Sequence, residues 1–270
     1  CEGSGKAQAD DPLRKHSTPS YIDTILVAIN PYKESPRMSV LYYDCFSGIS
    51  GDMNLAAMLD LGVDESHLRS ELAKLTVSDE FELHVSAAAK CGIHGTRVDV
   101  VLKQPHDTEH HHSHRNLLDI ESIVTGSALS EAVKASSMAI FQRLAEAEAH
   151  VHNCSLEEIH FHEVGATDAI VDIVGAAICR EALGVDQVLC SSVQLGGGFV
   201  TCAHGRLPVP APATVQILQN IPTRRGAVDF ETTTPTGAAI LATLVDRFSD
   251  TPELSISKTA YGIGHRDMEI

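Results

Sequence analysis

One unit of the sequence, SVLYYDCFSGISGDMNLAAMLDLG at residues 39 to 62, constrains the fold more than any other. Val40 to Tyr43 is apolar and β-prone, Ser47 to Gly51 has turn composition, and apolar residues then recur at helical spacing until Gly62. This pattern predicts a strand, a tight turn and a helix in succession. Because strand-like and helical segments alternate further along, the chain is predicted to be α/β, with a mixed or mainly parallel sheet flanked by helices.

Other segments extend this prediction along the chain. We predict strands at 81 to 87, 96 to 102 and 187 to 193, and helices at 64 to 75, 130 to 151 and 236 to 248. Asp168 is expected to be the N-cap of another helix that ends at Gly184. Ser155 and Glu158 fit a capping box, in which each side chain satisfies the other residue's exposed amide.

The chain is predicted to form one folded domain preceded by an extension. Residues 1 to 37 carry four prolines and only one strand-like run, TILVAI at 24 to 29. We therefore expect 1 to 37 to be a poorly structured N-terminal extension and 38 to 270 to be the functional α/β domain.

Charge and cysteine usage limit the partners. With 36 acidic and 20 basic residues, the formal net charge is −16, which disfavours binding to nucleic acid or to an anionic membrane surface. Seven cysteines without a C-x-x-C pair favour reduced thiols, so a cytoplasmic location is expected. Small cations are the natural ligands for such a chain.

A histidine-rich stretch, QPHDTEHHHSHRN at 104 to 116, is the first candidate site. Neutral imidazole is a common ligand for nickel, zinc, copper and cobalt, and adjacent histidines offer several nitrogens to one ion. The alternative is a solvated polar loop whose metal affinity is incidental. The candidate metal ligands are His106, His110, His111, His112 and His114.

A second candidate is IHFHEVGATDAIVDIVG at 159 to 175. His160 and His162 would project to the same face of an extended segment, with Glu163 and Asp168 close by. These four residues are suited either to a divalent ion or to acid–base chemistry, and we predict them as catalytic. The alternative is that they only hold helix ends together.

Two glycine-containing loops are candidates for binding a cofactor phosphate. Serine and glycine before a helix N-terminus can form an anion nest, although this turn lacks the lysine of a Walker motif. Three consecutive glycines, followed by Cys202 and His204, permit close approach of a ligand to the backbone. Each loop can equally be only a structural turn. The residues concerned are Ser47, Gly48, Ser50 and Gly51 in the first loop, and Gly196, Gly197 and Gly198 in the second.

From Met38 to Ile270 the chain closely resembles the LarC family of nickel-insertion proteins. The resemblance rests on six segments in the family's order: DCFSGISGDM, the histidine-rich loop, HFHEVGATDAIVDIVG, GGGFVTCAHGRLPVPAPAT, TTTPTGAAIL and YGIGHRD. It does not extend to residues 1 to 37.

The resemblance implies a CTP-dependent nickel chelatase, or cyclometallase, of the lyase class. Such a protein inserts nickel into pyridinium-3,5-bisthiocarboxylic acid mononucleotide, forming the nickel-pincer cofactor of lactate racemase. The implied cofactors are nickel and CTP with magnesium or manganese. The implied partners are the mononucleotide substrate, the lactate racemase apoenzyme, a C-terminal LarC part expected to bind CTP, and further copies of the chain in a homo-oligomer.

Because the sequence ends at Ile270, we expect full activity to require that C-terminal part. From the resemblance and the chemistry together, we expect the loop at 106 to 114 to collect nickel, and His160, His162 and Glu163 to lie nearer the insertion site. Two competing hypotheses are a nickel store or metallochaperone without catalysis, and a phosphotransferase built on the Ser47 to Gly51 turn. The absence of a Walker lysine argues against the phosphotransferase.

Overall fold

The computed structural model describes residues 39–103, 115–159, 161, 165–202 and 205–266, together with the backbone of 24–29. Its strands are β1 (Thr24–Ile29), β2 (Val40–Asp44), β3 (Phe81–Lys90), β4 (Ile93–Leu102), β5 (Gln187–Cys190), β6 (Val193–Gln194), β7 (Phe199–Cys202), β8 (Gly205–Pro208), β9 (Thr223–Arg224), β10 (Arg247–Phe248) and β11 (Lys258–Ile263). Its helices are α1 (Gly51–Leu61), α2 (Glu65–Leu72), α3 (Leu117–Thr125), α4 (Glu131–His152), α5 (Thr167–Leu183), α6 (Pro212–Ile217) and α7 (Pro235–Leu244).

Seven strands form the central sheet, in the order β10-β5-β2-β1-β11-β4-β3. β10, β5 and β2 pair in parallel, and so do β11 and β4. β1 is antiparallel to both β2 and β11, so those two strands run in the same direction. Five of the seven strands therefore place their carboxyl ends at one edge of the sheet. Ligands of open α/β sheets bind at this edge, which makes it the first place to look for a site.

The α/β prediction is confirmed, with a mixed sheet. The strand-like run at 24 to 29 is a strand within that sheet, so this part of the expected extension contributes to the fold. The domain boundary at residue 38 stays a prediction.

Helix α1 lies directly on β11. A Cβ atom on Gly262 would lie 2.0 Å from the carbonyl oxygen of Met53, so a glycine is needed at this contact. The Asp60 carboxylate accepts hydrogen bonds from the Tyr261 amide at 2.9 Å and from the Thr96 hydroxyl at 3.1 Å. These contacts fix α1 over β11 and β4, and so fix the position of the start of α1 relative to the ends of both strands.

The main core lies between the sheet and helices α1, α4, α5 and α7. Leu55, Phe141, Ile170 and Ile240, one from each helix, are fully buried. Burying a side chain of this size contributes roughly 1.5–3 kcal/mol, so the four helices are held mainly by this apolar contact. No helix among the described residues is long and apolar enough to cross a lipid bilayer.

The helix boundaries test several predictions. Gly62 ends α1 in the left-handed conformation, at φ 111°, and the Ser155–Glu158 capping box is present around a short 3-10 helix. The prediction for Asp168 as N-cap is wrong, because α5 begins at Thr167 after Ala166 and places Asp168, exposed, in the first turn.

The prediction of a helix at 236 to 248 is also wrong at its end. Helix α7 stops at Leu244, since Arg247 and Phe248 pair with β5 as a strand. Strand β11 was not predicted.

Candidate functional site

An imidazole lies between two carboxylates at the carboxyl edge of the sheet. Asp99 on β4 and His265 after β11 each lie three residues beyond the paired residues Thr96 and Gly262, so the parallel register brings them together. The Nε2 atom of His265 is 3.0 Å from Oδ1 of Asp99 and 3.3 Å from Oδ2 of Asp52 at the start of α1. The start of α1 and the carboxyl ends of β4 and β11 thus meet in one cluster of Asp52, Asp99 and His265.

Backbone contacts on both sides of His265 hold it in place. Arg97 donates a hydrogen bond to the carbonyl oxygen of Gly264 at 2.8 Å, and the Lys90 ammonium donates to that of Arg266. Both cations lie on the β3–β4 hairpin, so the position of His265 is tied to the strand that carries Asp99.

Asp52 is held as a carboxylate. Burial raises its pKa, but hydrogen bonds from His265 and from the Ser50 hydroxyl outweigh burial and bring the pKa below its ordinary value of 3.8. In turn, the hydrogen bond to Asp52 raises the pKa of His265 above 6.5, and the Asp99 charge adds to this against the opposing effects of burial and Arg97. The pair therefore favours an imidazolium–carboxylate arrangement.

A third carboxyl group, that of Asp172, lies on the other side of the α1 N-terminus. Its Oδ2 atom is so close to Gly51 that a Cβ atom there would lie 2.2 Å away. Its Oδ1 atom is buried and accepts no hydrogen bond from any described residue. Burial, followed by repulsion from Asp52 and Asp168, raises the pKa of Asp172 well above its ordinary value.

The Ser47 to Gly51 turn is occupied by contacts within the protein. The amide of Gly48 donates to the Cys45 carbonyl oxygen, and that of Ile49 to the Thr232 carbonyl oxygen, at 3.1 and 2.9 Å. Gly48 has φ 79°, and a Cβ atom on it would lie 2.1 Å from the Thr232 oxygen. This turn therefore packs against residue 232.

Carboxyl groups already flank the start of α1, where Asp52 lies in the first turn and Asp172 contacts Gly51. The Asp52 carboxylate would repel a phosphate placed there. Phosphate binding by the predicted turn residues thus gains no support from the geometry and stays a prediction; those residues are Ser47, Gly48, Ser50 and Gly51.

The three-glycine loop also packs against its own chain. Gly196 and Gly198 have φ 73° and 71°, and Cβ atoms on them would lie 1.9 Å from the Phe230 carbonyl oxygen and 2.5 Å from that of Asp229. A Cβ atom on Gly197 would lie 3.1 Å from the carbonyl oxygen of Val228. The close approach that these glycines permit is made by residues 228 to 230, and ligand binding by this loop stays a prediction.

A second polar cluster lies at the same edge of the sheet. It differs from the cluster of Asp52, Asp99 and His265 because hydrogen bonds and an ion pair already occupy its carboxylate. Asp250 accepts hydrogen bonds from the amide and the hydroxyl of Ser192, both at 2.8 Å, and pairs with Arg224 at 2.9 Å. These contacts join the ends of β5, β9 and β10. We interpret this group as structural.

Glu80 and Arg115 anchor the chain on both sides of the histidine-rich stretch. The Lys103 amide donates to the Glu80 carbonyl oxygen at 2.8 Å, and the Arg115 guanidinium pairs with the Glu80 carboxylate at 2.7 Å. Arg115 also donates to Thr167 Oγ1 at 3.0 Å and to the Gly165 carbonyl oxygen at 3.3 Å. One ion pair therefore anchors the flanks of the histidine-rich stretch and the start of α5.

Most of the residues predicted as metal ligands or as catalytic fall outside the described residues. These are His106, His110, His111, His112 and His114 of the histidine-rich stretch, and His160, His162, Glu163 and His204. Within the described part of the chain, no group of three or more histidine, cysteine, aspartate or glutamate side chains is arranged to hold a metal ion. Asp168 is described, and it lies one helical turn before Asp172.

Sequence reasoning missed Asp99, Asp172 and His265 as site residues, and gave Asp52 no chemical role. Asp172 had a detectable signal, since it is the one charged residue in the otherwise apolar run AIVDIVGAAIC. His265 lies in YGIGHRD, one of the segments that carry the resemblance, whereas Asp99 had no signal. Only the pairing of β4 with the unpredicted strand β11 brings the two together.

Comparisons with known proteins agree with the resemblance in the sequence. The family described as nickel insertion protein matches residues 41–270. A putative nickel insertion protein of Maridesulfovibrio salexigens is 59% identical, over 86% of this chain and 61% of its own length. Proteins of Clostridium acetobutylicum and Clostridium kluyveri, both named pyridinium-3,5-bisthiocarboxylic acid mononucleotide nickel insertion protein, are 55% and 56% identical over 86% of this chain and 62% and 60% of their own lengths.

The chain thus spans about three fifths of the length of these relatives. No solved structure matches it.

Proposed function

The chain belongs to the nickel insertion protein family, and from this premise we propose that it supplies the metal- and proton-handling part of an enzyme that inserts nickel into pyridinium-3,5-bisthiocarboxylic acid mononucleotide. The product is the nickel-pincer cofactor of lactate racemase, and the reaction depends on CTP. In class this is a nickel chelatase, or cyclometallase, of the lyases.

The cluster of Asp52, Asp99 and His265 carries this proposal. In the substrate, two thiocarboxylate groups flank carbon 4 of the ring, so a nickel ion held by both sulfurs faces that carbon. Forming a nickel–carbon bond there displaces the hydrogen of carbon 4 as a proton. The reaction therefore needs groups that accept and pass on a proton, and a hydrogen-bonded carboxylate–imidazole pair at a sheet edge meets this need.

We propose that the histidines at 106 to 114 supply the nickel. In the sequence the stretch follows β4, the strand that carries Asp99, and β4 ends at the same edge as the cluster. Imidazole binds nickel(II) and can release it to the softer sulfur ligands of the substrate, which suits a transient carrier.

We also retain His160, His162, Glu163 and Asp168 as residues that act at the insertion step. Asp168 supports this because it follows them in the chain and lies in the first turn of α5, one helical turn before Asp172. Changing either histidine to alanine is expected to abolish insertion even with excess nickel. Wild-type rates in both variants would contradict the assignment.

Phosphate chemistry is proposed for a part outside this chain. The described turn at Ser47 to Gly51 is occupied by its own backbone contacts and flanked by carboxyl groups, which does not fit a triphosphate. CTP and its magnesium or manganese ion are therefore assigned to the C-terminal part of the family.

The alternative is a nickel store or metallochaperone without catalysis, which the histidine-rich stretch alone would explain. To decide, the chain is mixed with nickel, CTP and the mononucleotide, with and without a separately supplied C-terminal part, and the product is sought by mass spectrometry and by activation of lactate racemase apoenzyme. Nickel-containing product only with the added part supports the proposal. No product in either mixture would refute it.

A further inference from the structure

Asp172 has a buried carboxyl oxygen, Oδ1, with no hydrogen-bond partner among the residues that the structure describes. It lies one turn into α5, with its other oxygen, Oδ2, against Gly51. The residue keeps some solvent exposure, but Oδ1 has none. An unsatisfied buried polar atom is unfavourable for stability, so its presence calls for an explanation such as a ligand or a reaction.

The groups around Asp172 shift its pKa in the opposite direction from the pKa of its neighbour Asp52. Burial, and then the charges of Asp52 on α1 and Asp168 on α5, raise the pKa of Asp172, whereas hydrogen bonds from His265 and Ser50 keep Asp52 ionised. Two basic groups act on this cluster: His265, which is hydrogen-bonded to Asp52, and Arg97, whose charge lowers the pKa of His265. Two carboxyl groups whose surroundings separate their pKa values are typical of an acid–base pair in an active site.

We infer that Asp172 is the catalytic base that accepts the proton of ring carbon 4 when the nickel–carbon bond forms. This inference rests on the proposed function. As nickel(II) and the cationic pyridinium ring enter, their positive charge displaces the proton of Asp172 to solvent. The carbon–hydrogen bond then breaks, its electron pair forms the bond to nickel, and its proton moves to the Asp172 carboxylate.

Asp52 and His265 provide a way out for the proton that Asp172 loses when nickel and the ring enter. Asp52 interacts with Asp172 and is hydrogen-bonded to His265, whose side chain is 49% exposed. The side chain of Asp52 is 24% exposed, so accessibility increases from the buried base towards solvent. The proton of carbon 4 then returns Asp172 to its protonated starting state.

Asp172→Asn tests the inference, because it keeps the shape of the side chain and removes its basicity. Asp79→Asn is the matched control, since Asp79 is an exposed aspartate in a short 3-10 helix. Both variants are assayed with the C-terminal part, nickel, CTP and the mononucleotide. We expect Asp172→Asn to slow insertion by at least about 100-fold, as loss of a general base does, with the dissociation constant for nickel chloride unchanged.

A second measurement does not depend on activity. Infrared spectroscopy of the chain alone should show a protonated carboxyl band that is lost in Asp172→Asn, kept in Asp79→Asn, and removed from the wild type by nickel chloride plus mononucleotide. Insertion by Asp172→Asn within about threefold of wild type would overturn the inference. So would a band that survives Asp172→Asn, or a weakened affinity for nickel, which would make Asp172 a ligand.

Comparing the wild-type mixture with the Asp172→Asn mixture separates failure of the inference from failure of the proposed function. If the wild-type mixture forms no product, the proposed function fails, and with it the role of Asp172 as base. If the wild type forms product but Asp172→Asn does too, only the inference fails.

Discussion

The carboxyl group of Asp172 lies against Gly51, and a Cβ atom on that glycine would sit 2.2 Å from Oδ2 and 2.5 Å from Cγ. The contact joins the second turn of α5 to the first residue of α1. It places the buried acid next to Asp52, which follows Gly51 in the chain. The position of the proposed base therefore depends on the absence of a side chain at residue 51.

Gly51→Ala should displace Asp172 and stop nickel insertion. The added methyl group overpacks the contact, so we expect a loss of about 1–3 kcal/mol in the free energy of unfolding, measured with urea. Gly184→Ala is the control. Gly184 is the C-cap of α5, the helix that carries Asp172, and a Cβ atom there meets nothing within 4 Å. That variant should lose about 1 kcal/mol through its left-handed backbone and retain insertion. Normal insertion by Gly51→Ala would contradict the proposed geometry.

The sequence predicted local structure well and long-range contacts poorly. The strand, turn and helix at 40 to 62 and the Ser155–Glu158 box follow from spacing and capping within a few residues, and all are present. Strand β11 was missed because KTAYGI is short, exposed at its start and interrupted by Gly262. The prediction of the site suffered from this directly, since His265 meets Asp99 only through the pairing of β11 with β4.

The predicted glycine sites illustrate a second limit. A glycine-rich turn in a sequence has the same composition whether a ligand or the chain itself approaches it. In this protein the chain approaches: residue 232 packs against Gly48, and residues 228 to 230 against Gly196 to Gly198. Only the tertiary structure distinguishes the two cases.

The contribution of His265 to stability should depend on pH. Its folded pKa is raised above 6.5 by Asp52 and then Asp99, so the stabilisation is fully present below 6.5 and is lost as the pH rises through the folded value. Asp52 has a pKa below 3.8 and stays ionised throughout this window.

We therefore expect His265→Gln to reduce the free energy of unfolding by up to about 1 kcal/mol near pH 5, and by progressively less towards about pH 9. Urea unfolding of both proteins at several pH values measures this. His84→Gln provides the comparison, because His84 lies 3.5 Å from Glu82 with both side chains more than half exposed, and its effect should be small at every pH. If the loss in free energy of unfolding caused by His265→Gln grew with pH, this prediction would be contradicted.

The ion pair of Arg115 with Glu80 should matter for both stability and insertion. Arg115 has only 13% of its side chain exposed and also holds Thr167 and the Gly165 carbonyl oxygen. Arg115→Gln should reduce the free energy of unfolding by about 1–3 kcal/mol, because it leaves buried acceptors unsatisfied. It should also slow insertion when nickel is scarce, because it releases the flanks of the proposed nickel-carrying stretch. Arg69→Gln, which breaks an exposed pair with Glu65, should have almost no effect on either measurement.

Deleting residues 106 to 114 separates nickel delivery from catalysis. If the stretch only collects nickel, insertion by the deleted protein should match the wild type at saturating nickel and fail when nickel is scarce, since imidazole ligands raise the local supply of the ion without taking part in bond formation. Changing only the five histidines to glutamine keeps the length of the segment and should give the same result. Product formation, followed by mass spectrometry over a nickel titration, measures the shift. Loss of insertion at saturating nickel in both variants would place the histidines in the reaction itself, whereas unchanged insertion at scarce nickel would show that they are a solvated loop.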